Sequence, residues 1–185
     1  MMKTLFINEP IKYEGHQLCP HWIYKNFKIQ GDAIVAFVGE CEVKLMEMVD
    51  IEDVINNEPI YSKSMLSFIS EQFNVNLVEG VFRQRLLMCI IKEALEKRGV
   101  LVVRDGDDLF VNDKKLSVSI ATKSITSTLI HTGLNITSDG TPIPTVGLKS
   151  DLNIHDINCF AEEIMLKYSQ EIDDIIMAST KVRGV

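Results

Sequence analysis

Two segments in the second half of the chain carry alternating polar side chains whose types could bind an anion. Period-2 spacing in a strand places every second residue on the same face, which here collects Lys115, Ser117, Ser119, His131, Gly133 and Asn135. An ammonium, an imidazole and an amide on adjacent strands can hold a carboxylate or a phosphate. Half-solvated antiparallel sheets show the same alternation without any function. The pattern alone therefore favours an ordinary half-exposed sheet over a binding site.

Lys115 is the residue in this set with the clearest chemical use. Its ammonium could stabilise charge on a carboxylate or a phosphoanhydride, or it could keep a hairpin soluble together with Lys114. His131 could act as acid, base or ligand, although a histidine among apolar residues is more often a hydrogen-bonded core residue. Asp108, with Asp107, could bind magnesium or could belong to a turn that starts at Gly106.

A separate cluster near the N-terminus has the spacing of a metal site. His16, Cys19 and His21 are three soft ligands within six residues, a set that a transition metal could use. Structural zinc usually has four ligands, and no fourth follows nearby. Pro20 indicates instead the start of a helix over residues 21–27.

Composition restricts the class of protein. The chain has 185 residues, 46% of them hydrophobic and 24% charged, which predicts one soluble domain spanning residues 1–185. A net charge of −7 argues against nucleic-acid binding. The sequence shows neither a secretory signal nor an apolar run long enough to cross a membrane. Four widely spaced cysteines without a CxxC pair are typical of reduced thiols in the cytoplasm.

The predicted elements group strands with hairpin turns and place helices between and after them. Strands are predicted at residues 4–7, 33–38, 100–104, 108–111, 115–121 and 128–136. Helices are predicted at residues 21–27, 50–55, 64–73, 81–98 and 156–178. This order favours an α+β fold. No GxGxxG motif and no Walker loop is present, so a Rossmann or P-loop nucleotide site is not expected.

The strand pair with Lys115 and His131 resembles the catalytic core of the biotin and lipoate protein ligase superfamily, which includes the lipoyl(octanoyl)transferases. The similarity lies in Asp107-Asp108-Leu109, the turn at Asn112-Asp113, the run Lys114-Lys115-Leu116-Ser117, and His131-Thr132-Gly133-Leu134-Asn135. Over nearly its whole length the chain also resembles an uncharacterised family, a domain of unknown function related to that superfamily. The resemblance implies a mixed, mainly antiparallel sheet with packed helices, and it places Lys115 on the catalytic lysine.

Three departures from the superfamily pattern bear on the chemistry. Thr145 or Val146 stands where the octanoyltransferases carry their nucleophilic cysteine, and Val118 stands where the ligases keep a glycine. The glycine-rich loop of the ligases is replaced by residues 59–64, a segment without glycine that would contribute Ser62 and Lys63.

The resemblance implies a ligase-like or acyltransferase-like enzyme that acts on a small carboxylic acid or its adenylate. Lys115 would be the catalytic residue; Asp108, Ser117, Ser119, His131, Gly133, Asn135, Ser62 and Lys63 would bind the substrate. ATP with magnesium is expected if adenylation is retained, and a carrier protein would be the acceptor. Val38, Val118 and Phe68 are expected to form the apolar wall. The alternatives are a non-catalytic binding module on the same fold and a metal-binding protein.

Overall fold

The computed structural model describes residues 1–184. In chain order the elements are β1 (Lys3–Ile7), α1 (Trp22–Phe27), β2 (Ala33–Val43), α2 (Ile51–Asn56), β3 (Ile60–Phe73), α3 (Leu77–Glu96), β4 (Val103–Asp105), β5 (Asp108–Val111), β6 (Lys114–Lys115), β7 (Ser117–Lys123), β8 (Ser127–Asn135) and α4 (Ile157–Ser179). The five-stranded sheet has the order β1-β2-β3-β8-β7, and β4, β5 and β6 form a small second sheet. Strand β1 pairs in parallel with β2, and the other pairs are antiparallel. The predicted α+β class and the mixed, mainly antiparallel sheet are confirmed.

Strand β3 is the central strand of the large sheet, and here the sequence prediction was wrong. Residues 64–73 were expected to be helical because Met65, Phe68, Ile69 and Gln72 follow a helical spacing. They belong instead to a 14-residue strand. Both faces of this strand are covered, so residues 65–72 are all buried and the period-2 alternation that marks a half-exposed strand is absent.

The large sheet has a different cover on each face. Helices α3 and α4 pack on one face, where Leu87, Met88 and Phe160 are fully buried in the main core. The N-terminal segment and α1 cover part of the other face through Tyr13, Leu18 and Ile23. The remainder of this second face is left open, and the candidate site forms there.

Local capping explains where the long helices begin. The Asn76 side chain accepts a hydrogen bond from the Glu79 amide at 2.9 Å, so α3 starts four residues earlier than residue 81, where the apolar stripe predicted it. The Asp156 side chain accepts from the Cys159 amide at 3.0 Å in the same way at the start of α4. No helix among the described residues is long and apolar enough to cross a membrane.

The small sheet carries the predicted hairpin. Asn112 and Asp113 have φ values of 49° and 61°, as a tight turn between β5 and β6 requires. The predicted single strand over residues 115–121 is interrupted at Leu116: Lys115 pairs with Phe110 in the small sheet, and Ser117 pairs with Leu134 in the large one. This interruption changes which side chains share a face, with consequences for the site.

Candidate functional site

A cavity of about 650 Å³ lies on the partly open face of the large sheet. It is bounded by β7 and β8, by the β5–β6 hairpin, by the segment around α2, and by the loop at residues 141–145. This is the size range in which proteins bind small molecules. Apolar side chains, a histidine and an amide form one part of the lining: Tyr13, Leu18, Met65, Val118, Ile120, His131 and Asn135. The lining also includes charged residues and a threonine: Glu47, Asp50, Glu52, Asp53, Glu58, Asp107, Asp108, Lys115 and Thr145.

The inner part of the cavity combines apolar side chains with a buried histidine. His131 stacks on Tyr13 with ring centroids 3.7 Å apart, and its Nε2 lies 3.3 Å from the Ser67 hydroxyl. Burial lowers the pKa of His131 to about 3. The imidazole is therefore neutral near pH 7 and has one nitrogen that accepts a hydrogen bond and one that donates.

Two polar groups at the cavity wall have no hydrogen-bond partner among the described residues. Tyr13 is 3% exposed and Asn135 is 5% exposed. Both residues line the cavity, and neither the Tyr13 hydroxyl nor the Asn135 side-chain amide forms a hydrogen bond to residues 1–184. Their polar atoms reach the cavity surface, because neither is among the enclosed unpartnered atoms of residues 1–184, so both groups can bond to a ligand or to water.

Lys115 enters the cavity from β6, next to Asp108 on β5. Its Nζ lies 2.9 Å from the Asp108 carboxylate, and both side chains are roughly seven-tenths buried, with 28% and 30% exposed. Burial raises the pKa of Asp108, and the bond from Lys115 opposes that rise without cancelling it. Backbone hydrogen bonds to Pro144 and from Val146 hold the neighbouring loop against Lys115. Of Thr145 and Val146, the two residues expected at the position of the transferase nucleophile, Thr145 lies at the cavity wall beside Lys115 and Val146 is buried in the core.

The rim around α2 is strongly acidic. Asp50 caps α2 by accepting a hydrogen bond from the Glu52 amide, and the rim carboxylates Glu47, Glu52, Asp53 and Glu58 form no ion pair among residues 1–184. Burial, followed by repulsion from Asp50 and Glu58, raises the pKa of Asp53, while Lys115 lowers it. Among the described residues that line the cavity, Lys115 is the one lysine and there is no arginine.

The hydroxyls of Ser117 and Ser119 point away from the face that carries His131. Ser119 pairs with Thr132, and directly paired residues share a face, so Ser119 lies opposite His131. The Ser119 hydroxyl lies 2.8 Å from that of Thr132 and accepts a bond from Gln84 on α3 at 3.0 Å. The Ser117 hydroxyl accepts from the Leu109 amide at 2.8 Å. The expected common polar face was therefore wrong: these two hydroxyls join the sheet to its neighbours, and Val118 and Ile120 share the face of His131. Ser117 and Ser119 nevertheless contribute to the lining of the cavity.

Three further predicted contacts have structural explanations elsewhere. Ser62 and Lys63 lie in β3 rather than in a loop and do not line the cavity; Ser62 is fully buried and its hydroxyl donates to the Ser64 carbonyl. A Cβ on Gly133 would lie 2.2 Å from the Met65 sulfur, so this glycine makes room for a core side chain. Of the three residues expected in the apolar wall, Val118 lines the cavity. Phe68 lies in the core beneath the helices, and Val38 lies at a separate small pocket.

The N-terminal histidines and cysteine do not form a metal site. His21 takes a left-handed conformation with φ 65° before α1, and its ring stacks on Phe73. Within residues 1–184 no group of three His, Cys, Asp or Glu side chains is placed to hold a metal ion. The predicted metal set of His16, Cys19 and His21 is thus not brought together.

Several site residues carried no recognisable signal in the sequence. Tyr13 is an isolated aromatic residue, and only the path of the N-terminal segment brings it onto His131. Gln84 falls on the polar side of the predicted helix, yet it is buried and donates to Asp107 at 2.8 Å. The acidic rim was visible as a run of acidic residues over 47–58, but its position at the cavity depends on the turn before β3.

Comparison with known proteins gives relatives over the full length and a wider group of the same fold. An uncharacterised protein from Methanocaldococcus jannaschii is 40% identical over 180 residues, which cover 94% of this chain and 81% of that protein. A protein of unknown function from Pyrococcus horikoshi is 37% identical, with a TM-score of 0.93 and full coverage of both chains.

The lipoate protein ligase from Thermoplasma acidophilum, solved with bound lipoic acid, superposes with a TM-score of 0.63 at 12% identity, over 92% of this chain and 86% of that one. At this identity the likeness shows the fold alone, and it confirms the fold that the resemblance implied. A family model described as a domain of unknown function, DUF366, matches residues 2–183. The chain therefore belongs to the DUF366 family, whose fold is that of the lipoate and biotin protein ligases.

Proposed function

We propose that the cavity binds a small carboxylic acid whose carboxylate contacts Lys115. The observation that carries this proposal is a partly buried ammonium, the one cation lining the cavity among residues 1–184, at one side of a mostly apolar interior. The Lys115 ammonium has three N–H donors, and Asp108 uses one of them. The remaining donors are available to a carboxylate, and Met65, Val118 and Ile120 offer apolar contact to its hydrocarbon part.

The buried polar groups would orient the same ligand. Tyr13 has a phenol whose pKa is raised by burial, so the hydroxyl stays protonated and can donate. Asn135 can donate and accept, and neutral His131 supports Tyr13 by stacking. These groups suit polar atoms of the ligand that lie deeper than its carboxylate.

ATP with magnesium does not fit the residues present. A triphosphate needs positive charge or a cradle of backbone amides. Here Lys115 is accompanied by seven lining carboxylates, Glu47, Asp50, Glu52, Asp53, Glu58, Asp107 and Asp108. The segment that replaces the glycine-rich loop is a strand from Ile60 onward, and no three-residue metal cluster occurs among residues 1–184. No adenylation step is therefore assigned to this chain.

A second candidate function is acyl transfer from an acid that arrives already activated, for example as a thioester. The position of Thr145 favours it: Thr145 pairs with Lys115 through a backbone bridge, lines the cavity, and its hydroxyl lies 2.8 Å from the Thr141 hydroxyl. Such a reaction needs no phosphate site, and Lys115 would stabilise the oxyanion that develops on the acyl carbonyl. The acceptor would be the amine of a carrier-protein lysine. The four free cysteines support a cytoplasmic location.

Replacement of Lys115 tests the binding proposal. Octanoate should raise the melting temperature of the wild-type protein, because a ligand that binds the folded state stabilises it. Lys115→Met keeps the apolar stem and removes the charge, so it should weaken octanoate binding about tenfold or more. Lys114→Met is the matched control, since Lys114 is the exposed neighbour in the same strand. Equal binding by all three proteins, or no binding by wild type, would refute the proposal.

Thiol release tests the transfer candidate separately. An octanoyl thioester is incubated with the protein and an amine acceptor, and the freed thiol is measured. Release that depends on Lys115 and falls in Thr145→Val supports acyl transfer. Octanoate binding without thiol release would leave the chain as a non-catalytic binding module.

A further inference from the structure

The charge of the cavity rim is opposite to what a simple carboxylic acid requires. Asp107 is neutralised by Arg85 at 3.2 Å, and Asp108 by Lys115 at 2.9 Å. The carboxylates on and beside α2 have no such partner among residues 1–184, and several of them face the same cavity. A purely anionic ligand would have to approach Lys115 through this negative field, which Coulomb's law makes costly at short range.

The interior of the cavity gives an independent reason to expect a polar ligand. Tyr13 and Asn135 are each more than nine-tenths buried as residues, and their side-chain polar atoms have no hydrogen-bond partner among residues 1–184 and reach the surface of the cavity. Because both groups line a mostly apolar cavity and lack a protein partner, they are available to hydrogen-bond polar atoms of a ligand. The side-chain carbonyl oxygen of Asn135 is also an acceptor, which an N–H donor would satisfy.

We propose that the ligand carries an ammonium group close to its carboxylate, that is, that it is an amino acid or a similar zwitterion whose side chain is mainly apolar and ends in a polar group for Tyr13 and Asn135. This inference rests on the proposed function, because Lys115 is taken as the carboxylate contact. The ammonium lies at the rim, where Asp53 and Glu58 compensate its charge, and the side chain lies against Met65, Val118 and Ile120. The ligand is then neutral overall, and both of its charges are paired.

The two charges of the proposed ligand would contact different elements of the cavity wall. The β5–β6 hairpin supplies Lys115 and Asp108, and α2 supplies Asp53. Lys115 also acts electrostatically on Asp53, where it opposes the rise in pKa that burial causes.

A matched set of three ligands tests the inference. The three ligands have similar apolar chains and different charged groups: octanoate has a carboxylate, octylamine has an ammonium, and 2-aminooctanoate has both. Isothermal titration calorimetry measures the binding of each. The inference predicts that 2-aminooctanoate binds about tenfold more tightly than either of the others. Asp53→Asn combined with Glu58→Gln should remove this preference, whereas Glu162→Gln, an exposed carboxylate on α4, should leave it unchanged.

The outcomes separate the inference from the proposed function. Octanoate that binds as tightly as 2-aminooctanoate would overturn the inference and leave the proposed function standing. Octylamine that binds as tightly as 2-aminooctanoate would refute the carboxylate contact at Lys115. Failure of all three ligands to bind would refute both. The melting temperature of the double variant, compared with wild type, shows that loss of preference is not loss of the fold.

Discussion

The surroundings of His131 decide between the two roles that its sequence context suggested. A histidine within an apolar strand suggested either a catalyst or a core residue. The structure places it fully within the protein, stacked on Tyr13 and lining the cavity, with a pKa near 3 caused by burial. It is therefore a neutral hydrogen-bonding group, and proton transfer near pH 7 is not its role.

Stability should depend on pH through His131. Its pKa falls from 6.5 in the unfolded chain to about 3 in the folded protein. The unfolded state then binds more protons between these values, so the contribution to stability is fully present above pH 6.5 and is lost as the pH falls toward 3. The free energy of unfolding should fall more steeply with decreasing pH in wild type than in His131→Phe, by up to about 1.4 kcal/mol per pH unit. Urea unfolding of both proteins from about pH 7 to about pH 4 measures this difference. Parallel profiles for the two proteins would show that His131 is not buried in the neutral form.

At this scale the sequence indicated candidates by type but could not give their partners. Lys115, Asp108, His131 and Asn135 all line the cavity. Tyr13 and Asp53 were not identified, because their proximity to these residues depends on how distant segments fold. Ser119 was placed on the wrong face because the register between β7 and β8, which pairs Ser119 with Thr132 and Ile120 with His131, is not revealed by alternation within one strand.

Among the elements, α3 fixes the hairpin that carries Lys115. Gln84 on α3 donates to Asp107 at 2.8 Å and to Ser119 at 3.0 Å, and it is 2% exposed. This one side chain joins a helix, the small sheet and the large sheet. It positions the cavity wall without contacting the proposed ligand.

Replacement of Gln84 should therefore affect both stability and ligand binding. Gln84→Met keeps the volume but leaves Asp107 and Ser119 with one partner fewer, which should lower the free energy of unfolding by about 1–3 kcal/mol. Octanoate binding should weaken as well, because the Asp108–Lys115 pair loses its support. Denaturation and calorimetry on the same sample check both effects. Weaker stability with unchanged affinity would show that the hairpin holds its position without Gln84.

Gly80 marks the close contact between α3 and β8. A Cβ at this position would lie 2.3 Å from Cγ2 of Thr128, whose hydroxyl donates to the Val75 carbonyl at 2.7 Å and so fixes the rotamer. In an exposed helix Gly→Ala gains about 1 kcal/mol, but here overpacking should outweigh that gain and lower stability by about 1–3 kcal/mol. Thr128→Ser keeps the hydroxyl and removes Cγ2, so the double variant Gly80→Ala/Thr128→Ser should recover most of the loss. Thermal unfolding of the four proteins tests this, and a stabilised Gly80→Ala would contradict it.

The elements themselves were only partly predictable. Helices α3 and α4 were identified because each has one apolar stripe, and the β5–β6 turn because Asn112 and Asp113 tolerate positive φ. Strand β3 was missed for the opposite reason: both of its faces are buried, so its apolar residues show no period of two. The ends of the strands near Leu116 depend on tertiary pairing and had no local signal.

The whole molecule has a net charge of −7, and several of its acidic residues are concentrated at the rim of the cavity. Burial, followed by repulsion from the neighbouring carboxylates Asp50 and Glu58, raises the pKa of Asp53. The charged form of Asp53 therefore destabilises the folded state. The protein gains stability as the pH falls through the raised pKa, because Asp53 then becomes neutral. The cavity thus maintains an unfavourable charge arrangement that a cationic group would relieve.

Neutralising Asp53 should accordingly stabilise the free protein. Asp53→Asn is expected to have a higher free energy of unfolding than wild type in low salt, and the difference should shrink as salt screens the rim. Glu162→Gln on α4 serves as the control and should show no such salt-dependent gain. The free energies come from urea unfolding at two salt concentrations. A destabilised Asp53→Asn at low salt would show that the rim is not under repulsive strain.

The most direct test of the central claim is a crystal structure of the protein with octanoate at a saturating concentration, with 2-aminooctanoate as the second ligand. We predict density in the cavity with a carboxylate oxygen about 3 Å from Lys115 Nζ, as in a charge-assisted hydrogen bond, and with the alkyl chain against Met65 and Ile120. A ligand bound in the reverse direction, with its carboxylate on Tyr13 and Asn135, or an empty cavity at saturating ligand, would contradict the account.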